Sequence, residues 1–227
     1  MQMDVVEFGI KGEKRVPMVK HFGVSIREKN NGLKLTRDNY MKVSNKSSFH
    51  KGKVYTDLEI NEHKERCLYN YDLNMKYFQS LSKEDFNKDL MEFDNKTKVF
   101  KEITNLAPFD SISGYYIMVL DKYAQVYIGT SEDIKRRIRT HWSKQKEFDR
   151  LIFGGKDSSI LSIDSFRAYD TTRIFVYPTH ELYIGEDGFI NLFNKRYLLN
   201  RTGGVSICAD LLDLLVKQRM PRWFWKI

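Results

Sequence analysis

The sequence predicts an α+β fold: a small three-stranded sheet flanked by helices, preceded by an α/β N-terminal region that contains a long helix. Three observations lead there. Residues 115–120 and 125–128 are apolar runs separated by the polar stretch 121–124, close enough to pair as a hairpin. Residues 171–177 (TTRIFVY) alternate β-branched and aromatic side chains up to Pro178, and supply the natural third strand. From Ser82 onward, Phe86, Leu90, Phe93, Thr97, Phe100 and Ile103 recur at steps of three and four, the period of an amphipathic helix ending near Leu106.

The chain of 227 residues is long enough for one large domain or two small ones, and its 41% hydrophobic and 14% aromatic content favours folding over disorder. A net charge of +8 favours a polyanionic partner, although many basic proteins have none. Cys67 and Cys208 are isolated, without a CxxC or a zinc-ligand spacing, and are expected to be reduced and buried. The first residues carry no apolar signal core, and no apolar run is long enough to cross a bilayer. A soluble, cytoplasmic chain with no membrane partner is expected.

In chain order, residues 1–53 read as a small β-rich start with a turn at Asn30-Asn31-Gly32, and residues 54–60 (VYTDLEI) alternate well enough for a further strand. Their basic residues read individually as solvated surface. Ser82 with Asp85 caps the long helix, whose mixed charges suit packing better than recognition. Pro108 opens a joint, which divides the chain into an N-terminal region, 1–107, for substrate recognition or accessory packing, and a second unit, 108–227, with a C-terminal helical extension.

The stretch 114–142, GYYIMVLDKYAQVYIGTSEDIKRRIRTHW, carries most of the chemistry. After Gly129 the chain turns into a basic helix, with Thr130 and Asp133 at capping-box spacing and Ser131 as an alternative cap. Arg137 and His141 stand at i and i+4 and share a helix face. A hairpin in the right register brings Tyr116 near Tyr127. Two phenols, a guanidinium and an imidazole then converge at one end of the sheet, a set suited to phosphodiester chemistry: Arg clamps a phosphate, and Tyr or His moves a proton.

Further along, residues 158–166 (SSILSIDSF) form a short helix or a covered loop. Asp170 and Arg173 flank the third strand, where a structural salt bridge accounts for both. A second Tyr183-Ile184-Gly185 has no basic helix after it and is a coincidence. Glu186 precedes Phe189, Ile190 and Phe193 at helical spacing, with Gly188 costing that helix about 1 kcal/mol relative to Ala. In the tail, residues 209–227 begin as a Leu-rich helix and end Arg222-Trp223-Phe224-Trp225-Lys226, rings more suited to docking on their own domain than to stacking on bases.

Gly114-Tyr115-Tyr116, Tyr127-Ile128-Gly129, Arg137 and His141, in this order and spacing, resemble the signature of the GIY-YIG endonucleases over about residues 111–204. Tyr115 stands where Ile is usual, at a strand position facing away from the neighbouring tyrosines. The resemblance implies an antiparallel three-stranded sheet and a site of Tyr116, Tyr127, Arg137, His141, Glu186 and Asn200. Glu186 would hold a single Mg²⁺ or Mn²⁺, with Glu181 as its rival, and Asn200 would support the site. The implied activity is divalent-metal-dependent hydrolysis of DNA, with RNA not excluded. The implied roles are restriction or other defence work, with homing, repair and structure-specific cleavage, or an inactive nucleic-acid-binding form, as alternatives. One site per chain implies a homodimer, or two encounters, on a duplex cut in both strands.

Overall fold

Thr56 starts the largest element. Its hydroxyl accepts from the Glu59 amide at 3.2 Å while the Glu59 carboxylate accepts from the Thr56 amide at 2.9 Å, a closed capping box. The helix it opens, α2, runs Asp57–Ser80. The strand expected over residues 54–60 is therefore not formed beyond Val54: the reciprocal cap commits the following residues to a helix, and only Lys53–Val54 (β4) pairs with Phe49–His50 (β3). The computed structural model describes residues 18–28, 32–40, 49–50, 53–54, 56–143, 161–182 and 185–200. The expected turn at Asn30-Asn31, the second Tyr-Ile pair at 183–184, Cys208 and the tail 209–227 lie outside these residues.

Met18–His21 (β1) and Val24–Arg27 (β2) form an antiparallel hairpin, followed by the single turn Arg37–Tyr40 (α1). After α2, helix α3 spans Lys83–Thr97, with the Ser82 hydroxyl accepting from the Asp85 amide at 3.1 Å. It stops at Thr97, well before its expected end near Leu106, because Lys98 turns left-handed (φ 53°). Phe100 and Ile103 keep the helical spacing by coincidence: Lys101–Ile103 is a strand, β5.

The α+β class holds, but the sheet has four strands rather than three, in the order β5-β8-β6-β7, all antiparallel. Gly114–Leu120 (β6) pairs with Gln125–Ser131 (β7) on one side and Arg173–Pro178 (β8) on the other, and β5 closes the β8 edge. Side chains alternate between two cores. Tyr116, Met118, Leu120, Ile174 and Val176 face α2, the β1–β2 hairpin and helix α4 (Ile134–Ser143). Tyr115, Ile117, Val119, Val126 and Ile128 face α3 and helix α5 (Glu186–Leu192). With both faces covered, every residue of β6 is buried, hence its unbroken apolar run.

The two cores draw on residues from both sides of position 107. On α2, Phe78 packs edge-on to Tyr123, and the Asn74 side-chain Oδ1 accepts from the Leu161 amide at 3.2 Å. Arg173 and Asp170 do not pair with each other. Arg173 binds Asp121 across the β6–β8 junction, while buried Asp170 accepts from the Leu35 and Arg167 amides and the Tyr123 hydroxyl. No helix among the described residues is long and apolar enough to cross a membrane.

The outer edge of β7 is closed by the chain at 198–200. The Leu199 amide donates to Val126 O at 2.8 Å, and the buried Asn200 side chain takes over where the backbone turns away. Its Nδ2 donates to Ile128 O at 2.6 Å and its Oδ1 accepts from Ile128 N at 3.0 Å. Asn200→Ala is expected to cost about 2–4 kcal/mol, because both backbone groups of a buried residue lose their partner. A denaturant midpoint unchanged from wild type would contradict that.

Candidate active site

Register places the two phenols together. Tyr116 lies opposite Gly129, and Tyr127 opposite Met118, so the tyrosines are diagonal neighbours on one face with ring centroids 6.2 Å apart. Gly129 makes this possible: a Cβ there would lie 2.5 Å from the Tyr116 hydroxyl and 2.9 Å from Tyr127 Cε1. Gly114 is required for a different reason. Its φ is +154°, and a Cβ would meet Tyr177 O at 2.3 Å, where β6 begins against the end of β8.

Helix α4 brings the cation and the imidazole. It begins at Ile134, later than expected, since β7 continues through Ser131. The cap is Asp133, whose Oδ1 accepts from the Arg136 amide at 2.9 Å, while Ser131 Oγ accepts from the Asp133 amide at 3.0 Å. Ile134, Ile138 and Trp142 pin the helix to the sheet, and on the same side His141 is buried against both tyrosines. Arg137 stands on the exposed part of the helix, and its positive charge acts on both phenols, favouring their ionised forms.

The polar groups form a chain. The Tyr116 hydroxyl lies 2.9 Å from His141 Nε2, and His141 Nδ1 is hydrogen-bonded to the Asp164 carboxylate. An acceptor at Asp164 puts the neutral ring's proton on Nδ1, so Nε2 accepts the phenolic proton. Asp164 was not singled out in the sequence. Its only signal is an acid within the otherwise apolar and hydroxyl-bearing run 160–166. It sits in a short 3-10 turn, Ile163–Ser165, on the segment that Asn74 of α2 holds.

Burial pushes the Tyr116 phenol well above its ordinary range, and the Tyr127 oxygen and Glu186 add to this, against the lowering effect of Arg137. Tyr116 is thus a phenol in the resting site, and becomes a base only by passing its proton on. Tyr127 is raised by burial and by Glu186, again opposed by Arg137. Burial would lower the Arg137 value, but the two phenolic oxygens and Asp164 together raise it.

Glu186 opens α5 and belongs electrostatically to this group: it acts on both tyrosines and is itself acted on by Arg137. Burial and the neighbouring Asp187 raise its carboxyl, against the stabilising Thr130 amide hydrogen bond and Arg137. Glu181 is exposed. It meets the site only through its backbone, which accepts from the Tyr115 hydroxyl at 2.9 Å; that same hydroxyl accepts from the Gly185 amide at 3.1 Å. Tyr115 does face away from its neighbouring tyrosine, but it is more than an apolar strand residue: it tethers the approach to α5, and an Ile could not.

Of the six expected site residues, five are brought together: Tyr116, Tyr127, Arg137, His141 and Glu186. Asn200 acts from behind, on the backbone between Tyr127 and Gly129, and is a positioning residue. Among the described residues no cluster of three or more His, Cys, Asp or Glu could hold a metal ion. One half-buried carboxylate whose charge is poorly compensated suits Mg²⁺ or Mn²⁺, which keep most of their coordination for water and phosphate oxygens. Arg137 links the site to a groove of about 460 Å³ lined by Thr130, Ser131, Glu132, Arg136, Arg137 and Thr140.

Asp164→Asn is expected to slow any proton transfer through His141 by at least about tenfold, part of the 10²–10⁴ that a positioned acid–base group supplies. The acidic limb of the pH–rate profile should also move to lower pH, because the imidazolium loses its counter-charge. A lower rate with an unmoved profile would reduce Asp164 to a packing role.

No protein-family model, no curated protein and no solved structure matches this chain.

Proposed function

We propose that this chain is a divalent-cation-dependent endonuclease of the GIY-YIG type that hydrolyses DNA phosphodiester bonds. The observation that carries the reading is the hydrogen-bonded run Asp164–His141–Tyr116, under the charge of Arg137 and Glu186 and beside a groove that Arg136 and Arg137 line. In this reading strands β6, β7 and β8 would correspond to the three-stranded sheet that the resemblance implies, with β5 added at one edge.

In this reading Arg137 clamps the scissile phosphate and offsets charge growing on its oxygens. Tyr116 takes a proton from the attacking water as its own proton passes to His141, and Asp164 stabilises the imidazolium that results. Tyr127 orients the water or a phosphate oxygen. Glu186 holds the cation, which supplies Lewis-acid stabilisation of the leaving oxygen when bound. A protein that only bound nucleic acid would have no need of a buried phenol–imidazole–carboxylate run.

A restriction or other defence-type role fits a chain whose N-terminal region is built into the same cores as the site rather than appended as a separate reader. With one site per chain, a homodimer on the duplex, or two successive encounters, would cut both strands. The test is digestion of duplex, single-stranded and branched DNA, and of RNA, with and without Mg²⁺, followed by sequencing of the ends. Cleavage of DNA only with the cation is expected. Fixed positions would identify restriction, and structure-dependent positions repair or resolution. No cleavage of any substrate would sink the reading.

A further inference from the structure

A second groove, of about 520 Å³, lies between the β1–β2 hairpin and the outer side of α4. It shares Arg136 and Thr140 with the groove beside the candidate active site, so the two lie side by side along the helix. Its walls carry Arg27 from β2 and Arg136 and Arg139 from α4, all exposed. Among the described residues neither Arg27 nor Arg139 has a carboxylate partner, and Arg136 has only Asp133 at 3.7 Å.

The hairpin wall is fixed in place. Phe22 stacks on Trp142 with centroids 6.3 Å apart, His21 packs on the same indole, and His21 Nε2 lies 3.1 Å from Thr171 O. The exposed face of the hairpin pairs Met18 with Arg27 and Lys20 with Ser25, and bears no acid. Arginine is suited to such a wall because its planar fork grips phosphate oxygens and stays charged at any working pH.

We propose that this second groove is a binding site for the DNA backbone, holding phosphates that flank the scissile one through Arg27, Arg136 and Arg139. The inference rests on the nuclease reading and extends it by giving the N-terminal hairpin a direct part in substrate binding. The length is right. From Arg136 to Ser143 the helix rises about 10 Å, the axial span of about three phosphates of one DNA strand.

The test uses the full chain and a duplex DNA probe without divalent cation, with affinity read by fluorescence anisotropy over a salt series. The triple variant Arg27→Gln, Arg136→Gln, Arg139→Gln is compared with a control, Lys83→Gln, Lys88→Gln, Lys96→Gln, which removes equal charge from exposed positions on α3. Each lost phosphate contact should reduce the slope of log K against log salt by about 0.9, so the groove variant should lose about 2–3 in slope and bind about 10–10³-fold more weakly at moderate salt. The control should stay near wild type. In Mg²⁺ the groove variant should show a raised KM, with kcat within a few-fold. Equal loss in the control and groove variants, or an unchanged slope in the groove variant, overturns the proposal; if wild type still cleaves, the nuclease reading survives that failure. A wild type that neither binds nor cleaves DNA removes both.

Discussion

Tyr116→Phe is expected to lower the single-turnover cleavage rate by about 10²–10⁴-fold, the contribution of a positioned general base, with the fold and DNA affinity kept. The change removes one oxygen and nothing else from a ring that is completely buried between Gly129 and His141. Loss of its hydrogen bonds should cost only about 1 kcal/mol of stability. Burial keeps the hydroxyl protonated at rest, so the residue has no role as a standing negative charge, and its effect must come through proton transfer. A variant within tenfold of wild type would shift the base role to another group.

Glu186→Gln should separate stability from activity. The folded-state value of this carboxyl is raised, so the folded chain binds its proton more tightly than the unfolded chain does. Stability is therefore lost as pH rises from the ordinary carboxyl range through the raised value, and at neutral pH the ionised group works against the fold. Replacing it with a neutral isostere should leave the melting temperature at pH 7 equal to or above that of wild type. Cleavage should fall by about 10³-fold or more, since Lewis-acid stabilisation is worth several kcal/mol. Mg²⁺ should raise the melting temperature of wild type and not of the variant. In wild type, activity should fall as pH drops through the raised carboxyl value, because the cation needs the carboxylate. A variant that melts lower and still shows the Mg²⁺ shift would move the metal away from residue 186.

The site was more legible than the frame around it. Tyr116, Tyr127, Arg137 and His141 are linked by local geometry, strand alternation and one helix turn, which sequence spacing encodes directly. The register of the hairpin was left open by the sequence and is supplied by the pairing of Tyr116 with Gly129 and of Met118 with Tyr127, since an unbroken apolar run such as β6 marks no face. Asp164 was hidden because its meaning depends on a contact 23 residues away that no periodicity marks. The role of Tyr115 was hidden because an alternation pattern gives the face of a side chain and says nothing of the hydroxyl at its end.

The frame was misread where local signals competed. In residues 54–60 an alternating pattern overlaps a Thr56–Glu59 capping box, and the box prevails because it satisfies helix-end donors that a strand would not have. At residues 97–103 a helix stop and a short strand follow each other while the apolar spacing continues unbroken. Only the pairing of β5 with β8 distinguishes the two, and that partner lies some 70 residues later.

The link from Asn74 to Leu161 joins a helix of the first half to the segment that bears the acid behind the imidazole. Under the proposed function, target choice could not be reprogrammed by grafting a foreign recognition cassette at residue 107, since the graft would remove residues that share both cores with the candidate site. Lineages built this way would diversify by point changes on exposed surfaces, and engineers would have to follow the same route.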